Sequence, residues 1–141
     1  MKKIIILNGP NLNLLGEREK SQYGSFTLKD IEKKCENFAK KNELKVSFFQ
    51  SNIEGELVEK IQLSRNDQNG LIINAGGYTH TSVAIGDAIK SIDSSVIEIH
   101  ITNTFARDNF RHVSYITPVA KGLIVGFGLD SYRMAIESIL N

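Results

Sequence analysis

Short runs of aliphatic residues alternate along this chain with stretches in which apolar positions recur every three or four residues. Ile4 to Leu7 is wholly apolar and mostly β-branched, the composition of a strand covered on both faces. Asn8-Gly9-Pro10-Asn11 then gathers turn-forming residues and opens a long polar loop, with Gly16 and Gly24 as its hinge points. From Thr27, the apolar residues Leu28, Ile31, Cys35 and Phe38 recur at helical spacing, with Asp30 and Glu32 near the positive N-terminal end, which predicts a first helix. Leu44 to Phe49 reads as a second strand, Leu57, Val58, Ile61 and Leu63 mark a second helix, and Gly70 to Asn74 is a third, apolar strand. Thr79 to Ser82 offers N-cap candidates for a helix through about Ser91. Val96 to His100 and Leu123 to Val125 read as the fourth and fifth strands, and a last helix runs from about Asp130 to Leu140.

Strands and helices that alternate in this way imply right-handed crossovers and a five-stranded parallel sheet with helices on both faces, the doubly wound α/β architecture. Periodicity does not set the order of the strands. The architecture does say where to look for a site, because ligands of open α/β sheets bind outside the carboxyl ends of the strands.

The chain has 141 residues, close to the roughly 100 to 150 residues that one core usually serves, so a single domain over 1–141 is expected. With 41% hydrophobic and 23% charged residues the balance is that of an ordinary globular protein, and no repeat or linker divides it. A net charge of only +1 gives no broad basic field, which argues against nucleic acid as a partner. Met1-Lys2-Lys3 leads into only four apolar residues before Asn8, so no signal peptide is expected. No apolar run approaches the roughly 20 residues that cross a bilayer, and the one cysteine, Cys35, cannot form an internal disulfide. A cytoplasmic protein with no membrane partner is the expectation. Cys35, on the apolar stripe of the first helix, reads as a small buried hydrophobe.

Three predicted strands end in polar residues: Asn8-Gly9-Pro10-Asn11, Asn74-Ala75-Gly76-Gly77, and Glu98-Ile99-His100-Ile101-Thr102-Asn103. Any one ending is explained by the turn its connection needs. Together they bring Asn11, Asn74, His100 and Thr102, with His80 further along, around one crevice rich in neutral hydrogen-bonding groups, which suits a small polyhydroxylated substrate.

Ile5-Ile6-Leu7-Asn8-Gly9-Pro10-Asn11-Leu12-Asn13-Leu14-Leu15-Gly16-Glu17-Arg18, followed by Tyr23-Gly24, resembles the N-terminal signature of the type II 3-dehydroquinate dehydratases. Asn74-Ala75-Gly76-Gly77-Tyr78-Thr79-His80-Thr81-Ser82 and Ile97-Glu98-Ile99-His100-Ile101-Thr102-Asn103 resemble that family's second and third blocks, in order and at suitable spacing. The resemblance implies a flavodoxin-like strand order and reversible dehydration of 3-dehydroquinate to 3-dehydroshikimate, in the shikimate or quinate pathway. It also implies a homododecamer built from trimers.

That reaction removes a proton beside a ketone and expels a hydroxyl group, so it needs a base, enolate stabilisation and an acid. By the resemblance, Tyr23 is the base, although a phenol with a pKa of roughly 10 is ionised only about one part in a thousand at pH 7, a deficit of about 4 kcal/mol. A nearby arginine lowers an acid's pKa by roughly 1 to 3 units and recovers about 1.4 to 4 kcal/mol; Arg18 is the candidate. Both belong to the loop from Gly16 to Gly24, which resembles the family's lid. Taken alone, Tyr23 reads as a loop aromatic packed on the surface and Arg18 as a solvated charge. His100 matches the general acid, and Glu98, two residues back on the same side of an extended chain, is placed to orient its imidazole or raise its pKa. Asn11 matches the residue that holds a water against the enolate oxygen, so stabilisation comes from neutral dipoles, with no cofactor and no metal.

By the same correspondence Asn74, Ile101 and Thr102 hold the substrate carboxylate, while His80 and Arg111 contact its hydroxyl groups. Arg107 and Arg111 share a face if 105–112 is helical, but only Arg111 matches a ligand position. Asp87 matches a residue that reaches a neighbouring subunit's site; by itself it reads as helix-surface charge. Thr102 stands where many relatives carry serine, which keeps the hydroxyl and adds a methyl.

Other chemistries fit less well. Gly16 is followed by Glu17 where a phosphate-binding loop needs Lys-Ser/Thr, and His80, His100 and His112 lack zinc-site spacings. The rival reading is a non-catalytic binding or signalling module on the same fold. A phospho-receiver needs acidic residues where Asn8 and Asn74 stand, and a flavin carrier needs a hydroxyl-rich phosphate loop where Pro10, Asn11 and Asn13 stand. A catalytically silent relative kept as a scaffold is a third reading, opposed by the presence of Tyr23, Arg18 and His100.

Overall fold

In the computed structural model, which describes residues 1–17, 21 and 24–141, the five apolar runs form one parallel sheet. Its strands are β1 (Lys3–Asn8), β2 (Lys45–Gln50), β3 (Gly70–Asn74), β4 (Ser95–His100) and β5 (Gly122–Val125), in the order β2-β1-β3-β4-β5. This is the flavodoxin-like order, and its direction reverses between β1 and β3, where Asn8 lies opposite Asn74. Among the described residues, four helices cover the sheet: α1 (Leu28–Lys41), α2 (Glu54–Ser64), α3 (Val83–Lys90) and α4 (Asp130–Leu140).

Helix α1 begins where its sequence supplies a reciprocal cap. The Asp30 backbone N–H donates to Thr27 Oγ1 at 3.2 Å, and the Thr27 N–H donates to Asp30 Oδ2 at 2.9 Å. Such a capping box satisfies two of the donors a helix start leaves orphaned, and a good cap is worth about 1 kcal/mol. Among the Thr79 to Ser82 candidates the cap of α3 is Ser82, whose Oγ accepts from the Ile85 N–H at 3.0 Å. Thr79 lies instead in a 3₁₀ turn spanning Gly76–His80.

Strands β1, β3 and β4 each feed two cores, because successive side chains point to opposite faces. Ile4, Ile6, Ile72, Ile97 and Ile99 pack under α1 and α4, against Ile31, Cys35, Ala39, Tyr132, Ala135, Ile136 and Ile139. Ile5, Leu7, Leu71, Ile73 and Val96 pack under α2 and α3, against Leu57, Ile61, Ile85, Ala88 and Ile89. Two-sided cover explains why β1 and β3 read as continuous apolar runs with no polar alternation. The segment after β4 returns across α3 so closely that a Cβ on Gly86 would lie 2.5 Å from the Tyr115 carbonyl oxygen.

That segment does not meet the condition under which Arg107 and Arg111 would share a helical face. Residues 105–112 are not one helix but two 3₁₀ turns, Thr104–Ala106 and Asn109–His112. The Asn103 side chain caps the first turn by accepting from the Phe105 N–H, and the backbone becomes extended at Arg107 and Asp108 before the second begins. Among the described residues, no helix is long and apolar enough to cross a membrane.

Two measurements check this packing. Cys35 is 1% exposed and burial pushes its thiol up to about 12. It should therefore resist a thiol reagent at pH 8 in the folded protein and react fully once denaturant is added; rapid labelling of folded protein would contradict the buried position. Replacing Gly86→Ala should lower the unfolding free energy by about 1–3 kcal/mol, read from the denaturant midpoint, because the obstructing atom is backbone and cannot rotate away.

Candidate active site

The strand parity that builds the two cores also decides what emerges at the carboxyl edge. Asn8 and Asn74 continue the α1/α4 face, whereas Glu98 and His100 continue the α2/α3 face. The loops after β1, β3 and β4 close around the reversal point and leave a crevice of about 160 Å³, several times the ~30 Å³ of one liquid water. Asn11, Asn74, His80, His100, Ile101, Thr102 and Arg111 all line it. So does Arg107, which the sequence reading left without a ligand role. A wider, more open groove of about 780 Å³ adjoins it along Ile101, Thr102, Asn103 and Arg107, but holds none of the histidines or the paired asparagines. Arg18 and Tyr23 lie outside the described residues.

The first loop is shaped by close backbone approach. A Cβ on Gly9 would meet the Ala75 carbonyl oxygen at 2.4 Å, and the Gly9 N–H donates to the Asn74 carbonyl at 2.7 Å. Asn11 sits in the left-handed region at φ 70°, which asparagine tolerates better than most residues. Its N–H donates to Asn52 Oδ1 at 2.9 Å, so the loop is tied to the end of β2.

Asn74 is held from behind by a residue the sequence reading missed. Tyr132, wholly buried on α4, donates its hydroxyl to Asn8 Oδ1 at 2.5 Å and accepts from Asn74 Nδ2 at 3.1 Å. Asn74 Oδ1 accepts from the Gly76 N–H at 3.3 Å, so both ends of its amide are oriented. Burial pushes the Tyr132 phenol well above its ordinary range, an effect only partly offset by the Asn74 hydrogen bond. A signal was present: Tyr132 shares its helical stripe with Ala135, Ile136 and Ile139, and a hydroxyl on a buried stripe needs a partner.

On the other face, Glu98 is 1% exposed and His100 is 7% exposed. His100 Nε2–H donates to Glu98 Oε2 at 2.6 Å, which leaves Nδ1 as the ring nitrogen with no partner among the described residues. Glu98 lies behind His100, lining a second chamber of about 200 Å³ that shares His80, His100 and Arg111 with the crevice.

His80 Nδ1–H donates to the Val113 carbonyl at 2.6 Å. Burial lowers its pKa below the usual imidazole range, partly countered by that hydrogen bond and reinforced by the nearby His100 and Arg111. His80 therefore meets a ligand at neutral pH as an uncharged ring, with Nε2 as an acceptor. The two histidine rings stack with centroids 6.2 Å apart. The Arg111 guanidinium lies 4.9 Å from the Phe110 ring centroid, and its Nε is a buried donor with no partner among the described residues. An arginine donor desolvated in this way is a strong binding point for an oxygen of a ligand. Arg107 Nη1 donates to Thr102 Oγ1 at 3.4 Å. Asp87 is exposed on α3 and does not line the crevice of its own chain. Among the described residues, no three His, Cys, Asp or Glu side chains gather to hold a metal ion.

This set of groups can bind a carboxylate and several hydroxyls, and it presents an imidazole backed by a carboxylate. Residues 2–140 match the family model described as dehydroquinase class II. The chain is 52% identical over 137 residues to a 3-dehydroquinate dehydratase of a Nitratiruptor species, covering 97% of this chain and 88% of that protein. It is 50% identical over 141 residues to a 3-dehydroquinate dehydratase of Endomicrobium trichonymphae, covering 100% of this chain and 99% of that one. A crystal structure of a type II dehydroquinase from Butyrivibrio crossotus superposes with a TM-score of 0.98 at 43% identity, covering 99% of this chain and 98% of that one. With fold, crevice and nearly the whole sequence in agreement, the chain belongs to the class II dehydroquinases.

Proposed function

We propose that this chain is a 3-dehydroquinate dehydratase, a hydro-lyase that converts 3-dehydroquinate reversibly to 3-dehydroshikimate through an enolate in the shikimate pathway. The observation that carries the reading is the family match over residues 2–140, joined to a crevice whose lining suits a polyhydroxylated carboxylic acid.

In this reading Tyr23, activated by Arg18, takes the proton beside the ketone. The electron pair moves onto the ketone oxygen, and a water held by Asn11 stabilises the resulting enolate through its dipole. Collapse of the enolate then expels the hydroxyl group, which leaves as water with a proton from His100. Glu98 keeps the imidazole oriented. Asn74, Ile101 and Thr102 receive the carboxylate, and His80 and Arg111 contact the ring hydroxyls. The buried Arg111 Nε, without a partner among the described residues, supports its assignment, and the fixed amide of Asn74 supports a role in alignment. No step draws on a cofactor or metal.

The reading includes a single catalytic domain acting in a homododecamer, a tetramer of trimers, in which Asp87 serves a neighbour's site. Exposed apolar side chains gather after β4, at Phe105, Phe110, Val113 and Tyr115, and Asp87 is exposed on the adjoining α3; such a cluster supports a subunit contact. A single, buried thiol is compatible with a cytoplasmic setting, which belongs to the same proposal.

The deciding experiment follows the ultraviolet absorbance of the enone product when 3-dehydroquinate is added to metal-stripped protein. Turnover is expected, with kcat reduced about 10²- to 10⁴-fold in both Tyr23→Phe and His100→Ala. Absence of turnover in folded, assembled protein would return the chain to the rival reading as a binding module. Light scattering should give a mass twelve times the 15.7 kDa of the chain. Asp87→Ala should keep that mass and lose about 10- to 150-fold in kcat/KM, the equivalent of a charge-assisted hydrogen bond worth about 1.5–3 kcal/mol; full activity would remove Asp87 from the site.

A further inference from the structure

Glu98 is held by more than its histidine. The carboxylate is almost wholly desolvated, and two hydroxyls from the segment crossing α3 converge on it. Ser114 Oγ lies 3.2 Å from both Oε1 and Oε2, and Thr117 Oγ1 donates to Oε1. Ser114 Oγ also accepts from the backbone N–H groups of Ile116 at 3.0 Å and Thr117 at 2.9 Å. Its acceptor capacity is thus used by the turn, and its one proton is committed to the carboxylate. Serine and threonine usually bond to their own nearby backbone. Here both hydroxyls reach across to a strand residue 16 and 19 positions earlier in the chain.

We propose that Ser114 and Thr117 are positioning residues for the dehydration: they fix the Glu98 carboxylate, and through it the plane and tautomer of His100. The inference rests on the dehydratase reading. Thr117 holds Oε1 and Ser114 lies astride both oxygens, so Oε2 is kept turned to His100 Nε2, and the imidazole is left with a single hydrogen-bonded orientation. Without the hydroxyls, the carboxylate keeps one partner and can rotate about its side-chain torsions. Nδ1 of His100 is then no longer held toward the crevice. Neither hydroxyl lines that crevice, so loss of either should leave substrate binding intact and slow the chemical step.

The test compares kcat and KM for the unmodified protein, Thr117→Val, Thr117→Ser and Ser114→Ala. Thr117→Val keeps the shape and removes only the hydroxyl, which makes it decisive even where Ser114→Ala disturbs its turn. Protection of Cys35 from a thiol reagent reports that each variant is folded. The expected result is a fall in kcat of about 10- to 100-fold in Thr117→Val and Ser114→Ala, with KM within about threefold. Thr117→Ser, which restores the donor, should recover kcat to within about threefold of the unmodified protein. Retained kcat in folded Thr117→Val, or a loss carried by KM alone, overturns the inference and leaves the dehydratase reading standing. Inactivity of the unmodified protein overturns both.

Discussion

Asn8, Asn74, Glu98 and His100 emerge at the carboxyl edge of this sheet from strands buried on both faces, and so must find their partners inside the protein. An orphaned buried amide or hydroxyl costs about 1–3 kcal/mol, and an unpaired charge costs more. The structure meets this constraint twice, once on each face. Under α4, Tyr132 joins Asn8 to Asn74. Under the crossing segment, Glu98 gathers His100, Ser114 and Thr117. The groups facing the crevice are therefore immobilised by the same bonds that make their burial tolerable.

Two tyrosines illustrate how environment divides roles. Tyr132 is buried among aliphatic side chains, hydrogen-bonded on both sides, and pushed away from ionisation. A phenol proposed as a base requires the opposite surroundings, a neighbouring guanidinium and nothing that commits its oxygen elsewhere. The crevice follows a similar division. Its asparagines, threonine and neutral His80 supply dipoles, while among the described residues charge comes from Arg107, Arg111 and the Glu98 behind His100.

Most of the architecture was legible because strand and helix announce themselves locally. The apolar runs of β1 and β3 require two covered faces, and Thr27 with Asp30 carries the start of α1 in four residues. The convergence of Asn11, Asn74, His80, His100 and Thr102 was legible too, since a doubly wound sheet brings its strand ends together. The segment after β4 was not. Its 3₁₀ turns have no long period, and its path depends on Asn103, on the extended backbone at Arg107 and on the gap left by Gly86. Arg107 reaches the crevice by that path and not by sharing a helical face with Arg111. The partners of Tyr132 and Glu98 are tertiary facts that no local window contains.

The bond between Tyr132 and Asn8 spans 124 positions of the chain. A strand made early is thereby finished by a helix made much later in synthesis. On the ribosome, β1, β3 and β4 can pair while α4 is still inside the exit tunnel, but the amide of Asn74 then lacks the hydroxyl that orients it. A nascent chain therefore carries the crevice's ingredients before it carries the crevice, and Asn74 gains its fixed orientation only once α4 has emerged and packed.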